Sequence, residues 1–131
     1  MRMQGKIGLV TAAGSGMGKA GAIRFAKEGA SVGVVDINPK AVDTVVQEIK
    51  KAGGNAIGIV ADLTKDKESK RIVTETANHF EGLDFVWNHV GHPGPASIEG
   101  IEMKDFELTL DLNLRTILVT TEAALSEFRI R

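Results

Sequence analysis

A chain of 131 residues, 43% hydrophobic and 25% charged, is long enough for one domain with a buried core, spanning residues 1–131, and too short for two. Its net charge of −1 is scattered rather than gathered into a basic stripe for nucleic acid or an anionic membrane surface, and the lack of cysteine excludes a disulfide framework, thiol catalysis and a zinc–thiolate site. No apolar run is long enough to span a bilayer and no leader-like segment precedes the first strand, so a cytoplasmic protein is expected.

Lys6 to Ala12 is the first predicted strand, and its near-continuous apolar character suits a parallel strand covered on both faces. Thr11-Ala12-Ala13-Gly14-Ser15-Gly16-Met17-Gly18 carries the chain out of it. A helix is expected from Met17 to Gly29, with Ala22, Phe25 and Ala26 inward and Gly29 as its stop. A strand, a glycine turn and a helix start in this order let backbone N–H groups approach an anion without Cβ interference, at the positive end of the helix dipole. A pyrophosphate is the natural ligand of such a turn.

Ser31 to Ile37 is the second predicted strand, and Asn38-Pro39 opens the next helix with proline suited to the first helical position. From Pro39 to Ala52, Val42, Val45, Val46 and Ile49 form an i, i+3, i+4, i+7 stripe that only a helix can use. Gly53-Gly54 stops that helix, and Asn55 to Ala61 is the third strand. Asp62-Leu63-Thr64 then leads, with Thr64 as the expected N-cap, into a helix from Lys65 to Phe80 that turns Ile72, Val73, Ala77 and Phe80 inward. Asp84 to His89 is the fourth strand, with Trp87 a core or edge residue, and the glycines and prolines of Val90-Gly91-His92-Pro93-Gly94-Pro95 impose a loop. Helical spacing returns from Met103 to Phe128 through Phe106, Leu110, Leu114, Ile117, Leu118, Thr121 and Leu125. Leu108, Leu112 and Val119 widen that stripe, which predicts burial on more than one side.

Strands alternating with helices make βαβ units, so the expected fold is α/β: a Rossmann-type doubly wound parallel sheet of strand order 3-2-1-4. The switch point lies between the first and fourth strands. A ligand belongs beyond their carboxyl ends, where the glycine turn and the Asn88 loop also lie. His89 and His92 are not read as metal ligands, because no cysteine or evident carboxylate joins them and their spacing falls in a strand-to-loop passage. No metal is expected.

The turn fits the spacing T-G-x-x-x-G-x-G, with Thr11, Gly16 and Gly18 in place and Ala12 where the first glycine belongs. With further markers following in order, the chain resembles the short-chain dehydrogenase/reductase family. The resemblance implies that Thr11, Gly14, Ser15, Gly16, Met17 and Gly18 hold a pyrophosphate, that Asp36 and Ile37 meet the adenosine ribose, and that Asp62 and Leu63 meet the adenine. Asp62 is equally open to a turn or helix-capping role. The Asp36 carboxylate at the end of the second strand would accept hydrogen bonds from the ribose and repel a 2′-phosphate. No lysine or arginine follows at 37 or 38, which favours NAD over NADP. Asn88-His89-Val90-Gly91 stands where the family usually has N-N-A-G; Asn88 and Gly91 match and line the pocket, while His89 and Val90 depart. Asn113 matches the family's helix asparagine, which organises a water path to the active-site lysine. It is the one catalytic position carried over, and a structural hydrogen-bonding role stays open for it.

By family spacing the catalytic serine, tyrosine and lysine would fall after Arg131, and the chain contains no tyrosine. The implied function is that of an oxidoreductase-family protein binding NAD(H) for hydride exchange with an alcohol or ketone. The chain covers the cofactor-binding half of such a protein and ends before a fifth strand. The alternative is a non-catalytic dinucleotide-binding or self-associating module. An apolar fourth strand without a neighbour is an open edge, so a homo-oligomer, a dimer through that strand or the last helix, is expected.

Overall fold

The computed structural model describes all 131 residues. Its elements alternate as predicted: β1 (Ile7–Val10), α1 (Gly16–Lys27), β2 (Ser31–Asp36), α2 (Pro39–Lys51), β3 (Asn55–Val60), α3 (Asp66–Phe80), β4 (Phe85–Trp87), α4 (Met103–Leu110) and α5 (Thr116–Ile130). A π-helical segment, Asp111–Arg115, joins the last two. The strands pair in parallel in the order β3-β2-β1-β4, with Leu9 opposite Gly33 on one side and Val86 on the other. This is the doubly wound order expected from the sequence.

Side chains alternate across the sheet because successive Cβ atoms of a strand point to opposite faces. On one face Val10, Val32 and Val34 meet Ala22 and Ala26 of α1 and the Val42, Val45, Val46 and Ile49 stripe of α2. On the other, Leu9, Val35 and Ile59 meet Ile72, Val73 and Ala77 of α3 and Ala124 of α5. All four residues of β1 are buried, as a central parallel strand requires.

Three expectations need correction. β1 and β4 end at Val10 and Trp87, short of Ala12 and His89. There the Trp87 carbonyl accepts both the Thr11 amide, at 3.1 Å, and the His89 amide of its own strand, at 2.9 Å, and the ladder closes. Thr64 does not cap α3: Lys65 holds the N-cap position without a side-chain bond, and the Thr64 hydroxyl donates to Asp62 Oδ1 at 2.7 Å instead.

The last helix departs furthest. It is continuous through the π segment, but its buried face is Thr116, Thr120 and Ala124, spaced four apart, and α5 packs against α3. Small side chains let the two helices approach, and Thr116 is satisfied there: its Oγ1 donates to the Leu63 carbonyl at 2.6 Å and lies 3.1 Å from Ser69 Oγ. Phe106, Leu110, Leu114, Leu118 and Leu125, expected inside, are exposed, Leu118 by 62%. Arg131 ties the far end of α5 to Asp84 by two bonds of 3.0 and 3.1 Å. No helix is long and apolar enough to cross a membrane.

Candidate functional site

β1 delivers the chain directly into the glycine turn at the carboxyl end of the sheet. The Ala13 amide donates to the Val35 carbonyl and the Gly14 amide to Asp36 Oδ2, each at 2.9 Å, so the turn is pinned across the end of β2. Gly14 is required by this approach, because a Cβ there would stand 2.8 Å from the Asp36 carboxyl group. Gly16 has a φ of +55° with open space around it, and Gly18 lies so close to the Ala12 carbonyl oxygen that a Cβ would strike it.

Lys19 is the first residue of α1 whose amide finds a backbone acceptor, the Ser15 carbonyl at 3.1 Å. The N–H groups of Gly16, Met17 and Gly18 precede it and are left free, as in the first turn of any helix. Ser15, Gly16 and Met17 are exposed, and the Ser15 hydroxyl makes no capping bond. Free amides at the positive end of a 12-residue helix, with Gly16 and Met17 exposed and no side chain capping them, form a cradle that suits a phosphate.

Asp36 sits at the edge of this cradle. Besides the Gly14 amide, its carboxylate accepts the Asn38 amide at 3.1 Å. Next to it opens a cavity of about 450 Å³ lined by Ala12, Asp36, Ile37, Ala61, Asp62, Leu63, Thr64, Val90, Gly91, Leu108 and Leu112. Asp36, Ile37, Asp62, Leu63 and Gly91, named from the sequence, thus come together around one space. Asp62 also closes the turn before α3, accepting the Thr64 amide at 3.1 Å and the Thr64 hydroxyl at 2.7 Å. That hydroxyl bond holds the Asp62 carboxyl below the usual carboxylate range.

Other residues named from the sequence sit around the cavity rather than in its wall. Thr11 is fully buried, and its hydroxyl accepts the His89 and Val90 amides, both at 3.0 Å, so it fastens β1 to the exit of β4 beneath the turn. Asn88 donates to the Thr121 hydroxyl of α5 at 3.2 Å. Asn113, in the π segment, grips the backbone of His92 twice: Oδ1 accepts its amide at 2.7 Å and Nδ2 donates to its carbonyl at 2.8 Å. The loop after β4 is therefore held to the helix that walls the cavity. Sequence reasoning missed Ala61, Thr64, Leu108 and Leu112 as lining residues. The signal for the two leucines was present, four residues apart and off the main stripe. No group of three His, Cys, Asp or Glu side chains is gathered to hold a metal ion.

The fold is shared with known proteins. An uncharacterized oxidoreductase of Thermotoga maritima is 36% identical over 129 residues, which is 98% of this chain and 51% of that protein. A crystal structure of a short chain dehydrogenase from Burkholderia cenocepacia in complex with NADP superposes with a TM-score of 0.93 at 33% identity, over 97% of this chain and 52% of that one. A 7 alpha-hydroxysteroid dehydrogenase complexed with NADH and 7-oxo glycochenodeoxycholic acid gives 0.92 at 34% identity, over 96% and 49%. The chain spans about half the length of these relatives. Residues 6–131 match the short chain dehydrogenase family model, and with the parallel sheet and the glycine turn in place the chain belongs to that family of oxidoreductases.

Proposed function

We propose that this chain binds NAD(H) across the carboxyl end of its sheet, with the pyrophosphate on the free amides of Gly16, Met17 and Gly18 and the adenosine end in the cavity beside Asp36. In the whole protein the bound nicotinamide would supply or accept a hydride in exchange with an alcohol or ketone. One observation carries the reading. The Asp36 carboxylate is fixed by two backbone N–H groups between the glycine turn and a cavity of about 450 Å³. A carboxylate in that place accepts hydrogen bonds from ribose hydroxyls and repels the 2′-phosphate of NADP. Related proteins are known with either NADH or NADP, so the preference rests on this side chain.

The glycines support the same reading. Cβ atoms at Gly14 and Gly18 would meet Asp36 and the Ala12 carbonyl, so the turn keeps its shape only without them. Ile37, Asp62 and Leu63 then border the adenine, and Asn88 and Asn113 hold the surrounding loop and helix in place. With no tyrosine to serve as general acid or base, these 131 residues by themselves are expected to turn over nothing. The uncovered leucines of the last helix favour a second copy of the chain as partner. Calorimetric titration tests the cofactor. NADH is expected to bind about tenfold or more tightly than NADPH, and Asp36→Ser to narrow that ratio. Absence of heat with millimolar NADH would remove the reading, and tighter binding of NADPH would remove the preference.

A further inference from the structure

Three buried side-chain atoms lack a hydrogen-bond partner: Asn88 Oδ1, Thr120 Oγ1 and His89 Nδ1. The last lies against the glycine turn. The His89 backbone is fixed, its amide donating to Thr11 Oγ1 and to the Trp87 carbonyl. Its ring packs on the Trp87 indole, with centroids 4.8 Å apart at 61°, and the indole in turn stands edge-on to Phe25 at 6.0 Å. On its other side the imidazole meets Gly18. A Cβ there would stand 2.9 Å from His89 Nδ1 and would also strike the Ala12 carbonyl oxygen, so nitrogen and oxygen crowd the same side of the Gly18 Cα atom.

We propose that His89 is a positioning residue for the glycine turn: with its proton on Nδ1, it donates to the Ala12 carbonyl once a dinucleotide pyrophosphate draws the turn together. This inference rests on the dinucleotide reading above. An enclosed imidazole nitrogen without a partner carries its full desolvation cost. A bound state that supplies the partner is favoured by what the free state lacks. Trp87, itself backed by Phe25, packs on the ring, and the Ala12 carbonyl oxygen crowds the same side of Gly18 as Nδ1, so a small shift of the turn gives the nitrogen an acceptor. The bond would fix the first turn of α1, and with it the Gly16, Met17 and Gly18 amides, at the distance the phosphates require.

The δ atom of asparagine occupies the place of Nδ1, so His89→Asn keeps a donor there, whereas His89→Leu keeps bulk without one. Titration with NADH is expected to show His89→Leu binding about tenfold more weakly than the unsubstituted chain and His89→Asn within about threefold of it. The thermal midpoints of the three chains should differ too little to account for the loss. Nitrogen-15 spectra of the unsubstituted imidazole give a readout free of any substitution. The Nδ1 resonance is expected to move to that of a protonated, hydrogen-bonded nitrogen when NADH saturates the chain. Equal affinity of His89→Leu and the unsubstituted chain, or an Nδ1 resonance untouched by NADH, overturns this inference and leaves the dinucleotide reading standing. Failure of the unsubstituted chain to bind NADH overturns both.

Discussion

Ala12 holds a φ of +51°, a left-handed conformation that costs a residue with a Cβ roughly 1–2 kcal/mol. It stands where the family motif has glycine, and the backbone there has the shape that glycine favours. Ala12→Gly removes that strain and adds roughly 0.4–1 kcal/mol of unfolded-state entropy. The expected net is a gain of about 0.5–1 kcal/mol in unfolding free energy, measured by urea titration.

The carboxylates give a second residue-scale expectation. Asp84 is held below the usual range by the Arg131 guanidinium and the Ile7 amide, Asp62 by Thr64, and Asp66 by Arg115. Glu28 is lowered to about 2, first by the Arg2 amide. Each group has a folded pKa below its unfolded value of roughly 4, so its contribution is complete above about pH 5 and is lost as pH falls through 4 toward the folded values. Urea unfolding followed from pH 7 to pH 3 should show a plateau and then a decline, with a shallower decline in Asp84→Asn. Stability that rises on acidification would contradict these pairings.

At the scale of elements, the sequence is most legible where burial and periodicity agree. Val42, Val45, Val46 and Ile49 can be buried together only on a helix, and all four are in the core. Asp36, Ile37, Asp62 and Leu63 are legible because they fall at strand ends, and parallel strands bring their carboxyl ends to one side. The last helix defeats the same reasoning. Its spacing announces a helix but not which face packs, because small Thr116, Thr120 and Ala124 allow close approach to α3 while the larger leucines lie outside. The π segment shifts the phase of the helix at Asn113, which no periodicity count reveals. The exposed row suits a second copy of the chain. Light scattering is therefore expected to give a dimer mass, and Leu118→Asp a monomer of unchanged circular dichroism. A monomer at high concentration without the substitution would sink that partner.

For the whole molecule, the topology places the glycine turn, Asp36 and the Asp62 cavity along one edge of a four-stranded sheet, the crevice where open α/β folds bind ligands. The sequence reaches that edge through its motif. It does not reach the fastening of Thr11 beneath the turn, or of Asn113 to the His92 backbone, since both depend on contacts between distant parts of the chain. Backbone amide resonances recorded as NADH is added report directly on whether a dinucleotide sits along this edge. Shifts are expected at Gly14, Ser15, Gly16, Met17 and Gly18, at Asp36 and Ile37, at Asp62 and Leu63, and at Gly91, with Ser31 and Asn55, at the amino ends of β2 and β3 on the far edge, unmoved. An unchanged spectrum at millimolar NADH, or shifts confined to that far edge, would contradict a dinucleotide seated there.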